Sequence, residues 1–86
     1  MIPTMDAFRK GLAGILLEAT SRGQSNIQLS AGDLHRRVGG YPGTDHRMPM
    51  CCNAMYELMH DGDSVVAAPP RKKGASLLIE YLLPRA

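Results

Sequence analysis

The sequence predicts a mainly helical α+β domain, with three helices at its core and a β-hairpin at its C-terminal end. Two stretches, residues 5–19 and 48–59, carry apolar side chains every three to four positions, the spacing of a helix with one buried stripe. A short segment between them opens on a serine suited to capping a helix. After His60-Asp61-Gly62-Asp63, two aliphatic stretches flank a basic loop containing proline and glycine, the pattern of a hairpin.

In the first helix, Met5, Phe8, Leu12, Ile15, Leu16 and Ala19 form the inner stripe. Thr4 is placed to cap it, Asp6 suits the positive end of its dipole, and Gly23 is a stop signal. Gly11 and Gly14 each cost about 1 kcal/mol against alanine, so packing rather than propensity must hold this helix. Asn26-Ile27-Gln28-Leu29 alternates as an edge strand would. Ser30 then caps a second helix over Ala31 to Val38, with Asp33 in the place of the reciprocal acid of a capping box and Leu34 and Val38 facing inward. Gly39-Gly40-Tyr41-Pro42-Gly43 breaks it.

The third helix starts between Thr44 and Met48, because Pro49 is tolerated only in a first turn. Met48, Cys51, Cys52, Met55, Leu58 and Met59 make its inner stripe. Strands over Ser64 to Ala68 and Ser76 to Leu83 close the chain around Pro69-Pro70-Arg71-Lys72-Lys73-Gly74.

Eighty-six residues leave room for one domain, 1–86. An apolar content of 44% with 21% charged residues argues for a folded chain rather than a disordered one. The start does not read as a signal peptide, and no apolar run approaches the roughly 20 residues that span a bilayer. Cys51 and Cys52 are adjacent and therefore poor disulfide partners, which points to reduced thiols and a cytoplasmic protein without a membrane. The net charge of +2 says little about partners, so the placement of the cations has to decide.

Taken in order (helix, short strand, helix, loop, helix, strand, strand), the chain resembles the winged helix-turn-helix superfamily over essentially its whole length. In that superfamily a small strand joins the C-terminal hairpin in a three-stranded sheet, and the hairpin loop forms the wing. The resemblance implies that Ile27–Leu29 is the small strand, that Pro69–Gly74 is the wing tip, and that the partner is double-stranded DNA. Transcription regulation, or service as the DNA-binding subunit of a larger assembly, follows as the expected use. The chain departs from the pattern at Gly39 to Thr44, which is longer and richer in glycine than the tight turn of simpler members.

Within that reading, the outer face of the third helix carries His46, Pro49, Met50, Asn53, Tyr56 and Glu57, with Arg47 close by. Arginine pairs bidentately with guanine and asparagine with adenine, so Arg47 and Asn53 are the candidate base readers. Arg71, Lys72 and Lys73 in the wing, and His35, Arg36 and Arg37 on the second helix, are candidate phosphate contacts bracketing the third helix. Both groups also read as ordinary solvated surface.

His46, Cys51, Cys52 and His60 suggest a metal site, but adjacent cysteines on a helix diverge by about 100° and lack zinc-ligand spacing. Neither a nucleophile with its base nor a phosphate-binding glycine loop is evident, so no catalysis, metal or cofactor is expected. The rival reading is a protein-interaction module, which Met50 and Tyr56 on the outer face would suit. A homodimer through the first helix or the last strand would fit either reading. Arg36, Arg37, Arg47 and Arg71 to Lys73 on one continuous face would argue for DNA; scatter would argue for a protein partner.

Overall fold

The computed structural model describes residues 4–39, 47–70 and 74–85. Thr4 opens the first helix, α1 (Met5–Ser21), by accepting the Ala7 N–H on Oγ1 at 3.1 Å. Phe8, Leu12, Ile15, Leu16 and Ala19 are its buried residues, the stripe expected from spacing alone. At its end Gly23 adopts φ 78°, and the N–H groups of Gly23 and Gln24 return to the carbonyls of Thr20 and Ala19. That pair of bonds satisfies two orphaned carbonyls, and its left-handed residue is tolerated because glycine has no Cβ.

Strand β1 (Asn26–Ser30) runs straight into helix α2 (Ala31–Val38). Ser30 Oγ accepts the Asp33 N–H at 3.1 Å, so the cap forms as expected. The reciprocal half of the capping box is replaced: Asp33 gives its carboxylate to Arg36 at 2.9 Å. Where α1 crosses α2, a Cβ on Gly11 would stand 2.8 Å from Val38 Cγ2, so this glycine sets the close approach of the two helices.

Helix α3 (Met48–Glu57) carries Pro49 in its first turn. It ends at Glu57, two residues before the apolar stripe does; Leu58 and Met59 leave the helix yet still pack against the core. Strand β2 (Ser64–Ala67) and strand β3 (Leu78–Leu82) complete an antiparallel sheet in the order β1-β3-β2. Ile27 faces Tyr81, and Val65 faces Ile79, with an irregularity between Val65 and Ala67.

Both closing strands are shorter than their aliphatic stretches. Ala75 and Leu77 use their carbonyls to accept the N–H groups of Gly32 and Ala31, at 3.1 and 2.9 Å. The start of α2 thus takes the Leu77 carbonyl, which alternation alone assigns to the last strand, because the first amides of a helix have no partner of their own.

The helices cover one face of the sheet. Leu29, Ile79 and Tyr81 point into the core beside Phe8, Leu12, Leu34 and Met55, and the Tyr81 hydroxyl donates to the Met55 carbonyl at 2.9 Å. Among the described residues no helix is long and apolar enough to cross a membrane.

One polar cluster ties the C-terminal end down. The Arg85 guanidinium meets Asp63 and also donates to the carbonyls of Leu82 and Leu58, at 2.8 and 3.0 Å. Asp63 accepts in addition from the N–H groups of His60 and Leu82, each at 2.8 Å.

Candidate nucleic-acid interface

Helical geometry places Pro49, Asn53 and Glu57 in one row, four residues apart, and all three are exposed. Arg47, the N-cap of α3, is also exposed, just before the helix and outside that four-residue spacing. From Arg47 to Asn53 the helix advances about 9 Å, close to the rise of three base pairs. Met50 and Tyr56 flank the row and are half-buried against the core rather than fully presented to solvent.

The row is bounded on both sides. On one side, Cys52, the residue before Asn53, donates its thiol to the Gly74 carbonyl at 3.5 Å. Gly74 marks the returning arm of the β2–β3 hairpin, and a Cβ on it would stand 3.2 Å from Pro69 Cγ, so the two arms touch at the root of the loop. On the other side, Glu57 forms a two-pronged bond with Arg9 of α1, at 2.8 and 3.1 Å. That hydrogen bond holds the Glu57 carboxyl below the usual carboxylate range, and it neutralises the acid at the foot of the row. Sequence reasoning passed over Arg9, because no local pattern links residues forty-eight positions apart.

His35 is a correction to the expected phosphate contacts. Its side chain is fully buried, edge-on to the Phe8 ring with centroids 4.8 Å apart, and Nε2 accepts the Arg47 N–H at 2.8 Å. A ring with no exposure cannot reach a phosphate. Position 35 falls within the inner arc of α2 together with Ala31, Leu34 and Val38, which a reading by charge alone overlooked.

Arg36 and Arg37 are both exposed but leave α2 about 100° apart. Arg36 lies one turn beyond Gly32, the residue bonded to the hairpin root, and it pairs with Asp33. Arg37 lies on the other flank, in a shallow hollow with Ile15, Glu18, Ala19, Arg22 and Ile27. The two arginines therefore do not form the single cluster that adjacency in sequence suggests. His46, Arg71, Lys72 and Lys73 lie outside the described residues; the described chain reaches Pro70 before the wing cations and resumes at Gly74 after them.

The paired cysteines belong to the core. Burial, with Cys52 alongside, pushes the Cys51 thiol up to about 12, and it donates to the Ala31 carbonyl at 3.4 Å. At neutral pH this thiol is protonated and shielded, unlike a nucleophile.

Compared with family models, curated proteins and solved structures, the chain matches none.

Proposed function

We propose that this chain is a winged helix-turn-helix domain that binds double-stranded DNA, as a small transcriptional regulator or a DNA-binding subunit. The connectivity supports the fold reading: three helices, a small first strand, and a sheet ordered β1-β3-β2 in which that strand pairs with the last. The observation that carries the function is the exposed pair Pro49 and Asn53 on one face of α3, with Arg47 exposed at its N-cap, set beside the root of the hairpin whose loop holds Arg71, Lys72 and Lys73.

In this reading α3 enters the major groove by its N-terminal end, the end that reads base edges in such domains. Arg47 and Asn53 meet bases, while Arg36 and the wing cations meet phosphates. About four phosphate contacts give a salt slope near −4, equivalent to a loss on the order of a hundredfold in affinity between 50 and 200 mM salt.

The test is titration of the purified protein into a mixed-sequence fluorescent duplex at those two salt concentrations. Steeply salt-dependent binding is the expected result. Absence of binding even at low salt overturns the reading for this chain.

A protein-interaction module is the second reading, favoured by the divergence of Arg36 and Arg37. Exposed Val65 and Val66 on the edge strand β2, with exposed Leu17 and Leu82, add apolar surface that DNA contact does not use.

A further inference from the structure

His35 holds both ends of the connection between α2 and α3. Its backbone carbonyl accepts the Gly39 N–H at 2.8 Å, closing α2. Its ring Nε2 accepts the Arg47 N–H at 2.8 Å, where α3 begins. The N-cap of α3 makes no side-chain cap bond of its own, in contrast to Thr4 on α1 and Ser30 on α2. A fully buried imidazole in a hydrocarbon core costs free energy unless its polar atoms are used. Here one of them supplies, from another helix, the bond that fixes the N-cap residue of α3.

We propose that His35 is a positioning residue: its buried Nε2 clasps the backbone of Arg47 and thereby sets where the exposed row of α3 stands relative to α2. The clasp requires a ring with Nε2 free of hydrogen, so the neutral tautomer carries its proton on Nδ1. Phe8 of α1, edge-on to the ring, fixes the plane in which Nε2 points. The seven residues between Gly39 and Arg47 are spanned by this one side chain. The consequence for DNA rests on the winged-helix reading; the clasp itself does not.

The experiment compares the wild-type chain with His35→Gln, His35→Asn and His35→Leu. Glutamine can place Oε1 where Nε2 stands, whereas asparagine reaches only the position of Nδ1. Amide hydrogen exchange at Arg47 is read against the core amides of Leu12 and Ile79, so that a general loss of stability cancels. Wild type and His35→Gln should agree within about threefold, and His35→Asn and His35→Leu should exchange at least about tenfold faster at Arg47 relative to the core. Equal relative protection in the Gln and Asn variants overturns the proposal, and that comparison stands even if the leucine variant fails to fold.

With the mixed-sequence duplex, His35→Asn should bind about five- to tenfold more weakly than His35→Gln at an unchanged salt slope, since no phosphate contact is removed. If the wild type binds no duplex, the DNA reading fails while the exchange comparison still decides the clasp.

Discussion

Asp63 keeps its charge on a side chain with no exposure, facing an Arg85 side chain that is only 9% exposed. Burial alone would raise the Asp63 carboxyl; the hydrogen bond from Arg85 and those from the His60 and Leu82 N–H groups overcome it and hold the group at about 2. An unfolded aspartate titrates near 3.9, so the folded state binds this proton less tightly than the unfolded one. The resulting stability, about 2.5 kcal/mol, is present in full above pH ~5 and is lost as pH falls through 4 towards 2. Urea midpoints measured from pH 6 to pH 2.5 should fall for the wild type, and Asp63→Asn should start lower and fall less. A parallel fall in both proteins would assign the acid sensitivity to other carboxylates. Removing the partner by Arg85→Ala leaves a buried anion uncompensated and should cost about 3–5 kcal/mol at neutral pH.

Helix α1 contains two glycines that look alike in sequence and differ in surroundings. A Cβ on Gly14 meets nothing within 4 Å, whereas one on Gly11 would press to 2.8 Å from Val38 Cγ2. Gly14→Ala should therefore stabilise the domain by up to about 1 kcal/mol, a rise of about 4–8 °C in Tm for a domain this size. Gly11→Ala has the same propensity gain but must displace Val38, and it should fall short of Gly14→Ala by about 1–2 kcal/mol. Equal gains in thermal melts would mean that α1 and α2 do not approach as closely as the geometry has them. Helix α2 depends on its cap in the same measurable way: Ser30→Ala should cost about 1 kcal/mol by freeing the Asp33 N–H.

Across the whole molecule, the two neighbouring arginines of α2 fall on different flanks. Arg36 and Arg47 lie toward α3 and the hairpin root, while Arg37 shares the opposite flank with Arg22 and Glu18. If duplex DNA docks on the α3 side, Arg36→Ala should weaken binding and reduce the salt slope by about one, and Arg37→Ala should change neither. The triple change of Arg71, Lys72 and Lys73 to alanine should weaken binding to all sequences and flatten the slope by up to about three. Equal effects from Arg36 and Arg37 would place the ligand elsewhere. Asn53→Ala should instead relax preference at one or two base pairs, and a uniform loss would argue against base reading.

Sequence by itself determined the number and order of the elements, because the signals that set them are local. The stripe of Phe8, Leu12, Ile15 and Leu16, the caps at Thr4 and Ser30, and the stop at Gly23 each act within a turn or two of the chain. Tertiary structure decided what those elements do to one another. It started β3 late by engaging the Leu77 carbonyl at the start of α2, turned His35 from a candidate surface cation into a buried acceptor, and set Arg37 beside the end of α1. It also joined Arg9 to Glu57 and Asp63 to Arg85 across long stretches of chain. The lent carbonyl, the His35 acceptor and the Asp63–Arg85 pair follow from satisfying backbone amides or buried charge with whatever partner the packing brings near, a requirement that hydrophobic spacing along one segment does not encode.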